Sequence, residues 1–160
     1  MKKYLGMLLS IIMLTMSIPV YAEENVEENY TMIFEDEGSE IDNLFIDEDS
    51  PIMPRSQYIM TVQTQAKYLG SNQVAIHVNA YCNSVVSKIT TIFYLQKYTG
   101  SGWVNVSSGT ISVSNSNKLS KTGTVSGVPS GTYRAKSATK VTDRYGYSET
   151  QTSYSGAFSF

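Results

Sequence analysis

Cysteine and histidine are almost absent from this sequence of 160 residues, which contains one of each. Small domains that work outside the cell often rely on disulfides, but Cys82 has no second cysteine in the chain to pair with. We expect Cys82 to behave as a small buried hydrophobic residue, with an intermolecular disulfide as the alternative. The stability of the fold must then come from packing.

Acidic side chains are also scarce over most of the chain. From Arg55 onward, Asp143 and Glu149 are the only carboxylates, whereas side-chain catalysis needs acids, bases or nucleophiles placed together. His77 and Cys82 lie five positions apart on one predicted strand, so they point to opposite faces. Asp143 is typical of a residue that forms a turn. We therefore expect no enzyme activity, no catalytic residues, no cofactor and no metal site.

Only one long apolar run is present, and it lies at the N-terminus. Two lysines precede the nearly apolar stretch Leu5–Val20, and a small-residue site ends at Ala22. This layout predicts a secretory signal peptide over residues 1–22, cleaved after Ala22. A retained membrane anchor is the alternative, since the run is almost long enough to span a bilayer, but Pro19 favours cleavage. We expect the protein to be secreted.

The charges divide the remaining chain in two. Twelve of the 14 acids lie between Glu23 and Asp49, without a single base, whereas the ten bases and two acids from Arg55 onward give a net charge of about +8. Residues 23–55 therefore read as an acidic leader or pro-segment that is mostly disordered on its own. Apolar residues set among the acids would also let the leader dock on a basic, partly apolar surface of the same chain: Tyr30, Met32, Ile33, Phe34, Ile41, Leu44, Phe45 and Ile46.

Two uses of this leader stay open. It is either a solubilising spacer or a pro-segment that masks the basic part until it is removed. A trypsin-like protease would find Arg55 accessible, because the prolines of the junction Pro51–Ser56 keep that stretch extended.

Residues 56–160 show the alternation of β-strands and no helical period. Val74, Ile76, Val78, Ala80 and Cys82 alternate with more polar positions. Ile89–Tyr98 is apolar on both faces, as in a central strand, and a glycine-rich turn follows at Tyr98–Trp103. Seven or eight short strands in about a hundred residues predict a single antiparallel β-sandwich.

A further motif refines this fold. Val128–Tyr133 has the layout of a tyrosine corner, in which a tyrosine hydroxyl bonds back to the preceding turn. Cys82 and Ala135 occupy the places of the two bridging cysteines of an immunoglobulin domain. The layout therefore resembles an immunoglobulin-like or fibronectin-type sandwich without the disulfide.

The chain also resembles a group of small secreted bacterial proteins of unknown function, which share a signal peptide, a variable leader and such a sandwich. The resemblance covers Arg55–Phe160 and rests on the motifs Arg55-Ser56, Ile92–Lys97, Trp103–Val106 and Gly131–Arg134. It implies the fold and export, and it supplies no activity.

The basic residues of the C-terminal half supply the candidate binding site. Arg134, Lys136 and Lys140 are an even number of positions apart, so they share one face of a strand, and Arg144 lies in the last turn. Such a face fits an anionic cell-wall polymer, an acidic glycan or an anionic lipid surface. Nucleic acid is not an expected partner of an exported protein. The alternative is a solvated face that only confers solubility.

Two functions follow from these observations. The first is a secreted, non-catalytic binding module that acts at an anionic cell surface or on a polyanion. The second is a secreted antimicrobial or toxin-like protein that an acidic pro-segment masks, since an unmasked basic domain could perturb anionic membranes.

Overall fold

The computed structural model describes residues 30–35 and 57–160, and over these residues the chain is all β. Seven strands form within this part: β1 (Met32–Glu35), β2 (Ile59–Gly70), β3 (Gln73–Tyr98), β4 (Trp103–Ser126), β5 (Thr132–Thr142), β6 (Ser148–Tyr154) and β7 (Phe158–Ser159). Every ladder is antiparallel. None of the described residues belongs to a helix with the length and apolar character of a membrane span. The predicted antiparallel all-β class is confirmed.

The strands join in one hydrogen-bonded sheet with the order β1-β4-β3-β5-β6, while β2 pairs with β3 and β7 with β5. The long hairpin of β3 and β4 is its centre. The first part of β3, up to Cys82, carries β2 on its free edge, and the last part, Lys88–Lys97, carries β5. One pair of strands thus contributes to both halves of the sheet.

The prediction of seven or eight short strands is wrong for this central hairpin. β3 has 26 residues and β4 has 24, and each joins segments that the sequence pattern had separated. The register between them shifts between Tyr81 and Val86, and Asn115 of β4 has a φ of 51° nearby. A bulge of this kind bends two strands without ending their pairing. The polar stretch that interrupts the pattern is therefore a bend within a strand.

Strands from both halves of the sheet contribute to one core. The buried hydroxyls of Thr64 on β2 and Ser137 on β5 share a hydrogen bond of 2.6 Å, although the two strands do not pair. Apolar side chains from both halves form a single cluster. Cys82 belongs to it, is 4% exposed and has a free thiol. Its predicted burial is confirmed.

The tyrosine corner is present at the start of β5. The hydroxyl of the fully buried Tyr133 donates a hydrogen bond of 2.8 Å to the carbonyl of Pro129. This contact ties the connection between β4 and β5 to the core, as the sequence predicts.

One strand of the sheet comes from the segment predicted to be a mostly disordered leader. Met32–Glu35 form β1 and pair with Thr122–Val125 of β4. The side chain of Met32 is buried in the core. The cleavage positions predicted at Ala22 and Arg55, and the rest of the signal peptide and leader, lie outside the described residues.

Candidate anion-binding face

The predicted basic residues of β5 lie on the outer face of the sheet. Along β5 the buried residues Tyr133, Ala135 and Ser137 alternate with partly exposed ones, which include Arg134 and Lys136. The predicted alternation of this strand is confirmed. Because the inward positions pack in the core, the outward positions are fixed on one face.

Arg134 is the most constrained of these residues. Its guanidinium carbon lies 4.5 Å from the ring centroid of Trp103 and 4.6 Å from that of Tyr154. Its Nε donates a hydrogen bond of 2.8 Å to Oε1 of Gln96, and Nε2 of Gln96 donates one of 2.8 Å to Oδ1 of Asn105. Contacts of a cation with an aromatic ring contribute about 0.5–1 kcal/mol each at exposed sites. Together these contacts hold the arginine side chain in one position.

The terminal nitrogens of Arg134 stay accessible. Within the described part of the chain, the guanidinium bonds through Nε alone, and no buried side-chain nitrogen or oxygen lacks a partner there. The two Nη groups therefore reach solvent. An arginine fork with free Nη groups can bind a carboxylate or phosphate through two parallel hydrogen bonds.

Lys136 lies beside Arg134 on the same face. Its Nζ is 5.4 Å from the ring centroid of Tyr94, its cross-strand neighbour on β3. Two positions along a strand correspond to about 7 Å. Arg134 and Lys136 thus place two cations within reach of neighbouring charges on one ligand.

The other two predicted residues lie farther away. Lys140 is exposed and continues the line along β5, about 20 Å from Arg134. Arg144 follows the end of β5, in the turn before β6, where its guanidinium carbon lies 4.8 Å from the ring centroid of Tyr145. The structure therefore groups Arg134, Lys136 and Lys140 on one face of β5 and places Arg144 in the turn that follows this strand.

The sequence did not point to three of the residues that support Arg134: Gln96, Trp103 and Asn105. They come from two other strands, and only the register brings them together: Gln96 lies opposite both Arg134 and Asn105, and Tyr98 lies opposite Trp103. The glycine-rich turn between Tyr98 and Trp103 could have indicated the position of Trp103, because the turn fixes the register of the hairpin on which this residue lies.

The described part of the leader contacts the protein elsewhere. β1 pairs with β4 at Thr122–Val125. The contacts of Arg134 and Lys136 among the described residues are made without β1. This strand does not cover the basic face.

Asp143 has a structural position in the last turn. Its Oδ1 accepts hydrogen bonds from the N–H groups of Tyr145 and Tyr147, and its Oδ2 accepts one of 2.8 Å from the hydroxyl of Tyr58. Burial acts to raise the pKa of Asp143, but these hydrogen bonds outweigh it and hold the pKa below its ordinary value. The hydrogen bond to Asp143, followed by burial, raises the pKa of Tyr58.

The second carboxylate, Glu149, is also engaged. It accepts hydrogen bonds from the backbone N–H groups of Gln57, Tyr58 and Ile59, which fastens the start of β2 to β6. Both acids of the described C-terminal part therefore hold backbone segments in place.

The remaining reactive side chains are apart from each other. Nδ1 of His77 lies 2.8 Å from Oγ1 of Thr122, whereas the thiol of Cys82 is in the core, where burial raises its pKa, with a further contribution from Glu149. The described residues contain no group of three or more His, Cys, Asp or Glu side chains that could hold a metal ion.

No protein-family model matches this chain, and no curated protein or solved structure matches it either. The resemblance to small secreted bacterial proteins therefore stays a prediction from the sequence motifs.

Proposed function

We propose that this protein is a secreted, non-catalytic binding module that binds a polyanion at an anionic cell surface through the face that carries Arg134, Lys136 and Lys140. The observation that carries the proposal is the ordered guanidinium of Arg134 with its free Nη groups. Ordering a long, mobile side chain on binding costs about 0.5–1.5 kcal/mol. Trp103 and Tyr154 order this side chain before a ligand arrives, so less of that cost opposes binding.

The aromatic residues on this face favour an anionic ligand over a neutral sugar. Trp103 has the Arg134 guanidinium on its ring and Tyr98 beside it at 5.3 Å, and Tyr94 has the ammonium group of Lys136. These rings already contact cations of this face. The cations themselves favour phosphate or carboxylate groups.

The line of cations suits a polymer with repeated charges. Arg134 and Lys136 are about 7 Å apart, and Lys140 extends the line to about 20 Å. The carboxylates of Asp143 and Glu149 are bound in backbone contacts elsewhere. A chain that carries an anionic group on each repeat would contact all three cations, whereas a single small anion would contact one or two.

The absence of catalysis is part of the proposal. His77 is hydrogen-bonded to Thr122, and Cys82 is buried. Asp143 and Glu149 serve the turn and the start of β2. These contacts support a binding role, because each reactive group has a structural partner or lies in the core.

We also propose that the fold is an immunoglobulin-like sandwich without a disulfide, preceded by a signal peptide and an acidic leader. The tyrosine corner at Tyr133 and the buried hydrogen bond between Thr64 of β2 and Ser137 of β5 support this assignment. The long bent hairpin of β3 and β4 distinguishes it from a sandwich built of short strands.

The test uses the chain from Glu23 to Phe160 in direct binding assays. A phosphate polymer, a carboxylate polymer, a neutral polysaccharide and anionic lipid vesicles are titrated at low and at moderate salt. We expect binding to the charged polymers that weakens with salt, because exposed charges are screened over about 10 Å at 0.1 M, and no binding to the neutral one. Binding to vesicles alone would assign the face to lipid headgroups. Equal binding to charged and neutral polymers, or binding to none of the four, would overturn the proposal.

A further inference from the structure

Two glycines of β4 form a seat for the side chains of β1. A Cβ atom added at Gly109 would lie 2.7 Å from Cζ of Phe34, and one added at Gly123 would lie 2.9 Å from Sδ of Met32. Real Cβ atoms do not approach other atoms so closely, so a side chain at either position would force the side chain of Met32 or Phe34 to shift. The two glycines thus leave the room that Met32 and Phe34 occupy.

The seat lies between the two halves of β4. Gly123 belongs to the half that pairs with β1, and Gly109 belongs to the half beyond the bend. The N–H of Tyr30 donates a hydrogen bond of 3.0 Å to the carbonyl of Val106, and the hydroxyl of Ser107 donates one to the carbonyl of Tyr30. The segment 30–35 therefore bridges both halves of β4.

This segment also closes the core. Met32 is buried, and the ring of Phe34 lies edge-on to that of the fully buried Phe93, with a centroid distance of 5.0 Å. Without the segment, the core would open at this point and β4 would present unpaired backbone groups. An exposed sheet edge of this kind readily accepts another strand.

The contacts that seat β1 do not depend on its covalent connection to β2. Among the described residues, β1 pairs with β4 and with no other strand. Positions 36–58 separate β1 from β2, a stretch that can reach up to about 75 Å when extended. The same segment from another molecule would therefore make the same contacts with β4.

We propose that the β4 edge between Gly109 and Gly123 is a strand-accepting site that a second copy of this chain fills with its own segment 30–35. The added strand pairs with β4 through the backbone, and Met32 and Phe34 enter the glycine seat, so the site selects this sequence as well as an extended shape. Reciprocal exchange gives closed dimers, and one-way exchange gives chains of molecules. This inference stands independently of the proposed binding of polyanions.

The concentration of the protein decides whether a molecule keeps its own segment 30–35 at the site or exchanges it with a second copy, because the contacts at the site are the same in both cases. A tethered segment competes at an effective concentration of about millimolar order. The protein is therefore monomeric when dilute, and it exchanges strands when many copies are crowded to that level. Cutting the connection between β1 and β2 removes the tether and allows exchange at much lower concentrations.

The first arm of the test follows exchange between intact chains. Two versions of the chain Glu23–Phe160 that differ in isotopic mass are mixed, and native mass spectrometry measures mixed dimers from about 10 μM to about 1 mM. We expect mixed dimers to rise steeply toward the upper concentration. The Gly123→Ala variant should lose them, whereas Gly102→Ala should keep them, because a Cβ atom at Gly102 meets nothing within 4 Å.

The second arm keeps the proposal testable if Gly123→Ala fails to fold. A protease site replaces residues 44–47 of the full chain, the purified protein is cut there, and a fluorescent peptide with residues 28–37 is added. We expect the peptide to replace the cut strand, and a peptide with Phe34→Ser to bind at least tenfold more weakly. Equal binding of the two peptides would overturn the site. Peptide exchange without mixed dimers of intact chains would overturn the assignment to a second copy.

Discussion

The hydroxyl of Tyr133 donates a hydrogen bond of 2.8 Å to the carbonyl of Pro129, four residues earlier in the chain. The ring of Tyr133 is buried beside those of Phe158 and Phe160, with centroid distances of 6.4 and 5.4 Å. One side chain thus joins the β4–β5 connection, the core and the C-terminal residues.

Replacing Tyr133 with phenylalanine removes this hydrogen bond and keeps the ring. We expect the free energy of unfolding to fall by about 1 kcal/mol, the net contribution of a typical hydrogen bond. Urea unfolding measures the change, with Tyr145→Phe as the matched control, since Tyr145 is 78% exposed. Equal stabilities of Tyr133→Phe and the unchanged protein would show that the corner does not stabilise the fold.

The lowered pKa of Asp143 lets us predict how the stability of the fold depends on pH in acid. The pKa of Asp143 is lowered in the folded state, so its ionised form stabilises the fold. This contribution is fully present above the unfolded pKa, about 3.9, and is lost as the pH falls through the lower folded value. We expect Asp143→Asn to be less stable at neutral pH and to lose less stability on acidification. Tyr58→Phe removes one hydrogen-bond donor to Asp143. In urea unfolding, its stability at neutral pH and its loss of stability in acid should both lie between those of Asp143→Asn and those of the unchanged protein. A steeper acid loss in Asp143→Asn than in the unchanged protein would contradict this role.

The raised pKa of Cys82 lets us predict how the stability of the fold changes in alkali. Burial raises the pKa of this thiol, with Glu149 adding to the effect, so the folded state favours the neutral form. Its contribution is present below the unfolded pKa, about 8.5, and is lost as the pH rises through the folded value. We expect stability to fall from about pH 8.5 upward, less so in Cys82→Ala. A thiol reagent should label the native protein far more slowly than the urea-unfolded chain, and equal rates would contradict the burial.

The local patterns in the sequence predicted the features that depend on a single strand. Alternation along β5 fixed the outward face of Arg134 and Lys136. The phase of Cys82 with Val78 and Ala80 predicted its burial. The turn and tyrosine of the corner lie within one short motif. In each case the inward and outward directions follow from neighbouring residues.

The features that depend on distant residues escaped the sequence analysis. The support of Arg134 by Trp103 and Gln96 needs the register of three strands. The continuity of β4 was missed because its bend at Ser114–Lys118 has the polar composition of a turn. The strand Met32–Glu35 was hidden in an acidic segment, since its partners Gly109 and Gly123 lie far along the chain.

The central claim is that the ordered fork of Arg134 binds anionic groups, and the most direct measurement compares Arg134→Lys with Arg144→Gln. Arg134→Lys keeps the charge but loses the fork, whereas Arg144→Gln loses a charge in the turn after β5. Isothermal titration with a phosphate or carboxylate polymer at one salt concentration gives the affinities.

We expect Arg134→Lys to bind about tenfold more weakly, equivalent to about 1.4 kcal/mol. Arg144→Gln should bind within about twofold of the unchanged protein, because the fork and Lys136 remain in place. An unchanged affinity in Arg134→Lys together with a clear loss in Arg144→Gln would show that net charge alone attracts the polymer, and the account of the Arg134 face would be wrong.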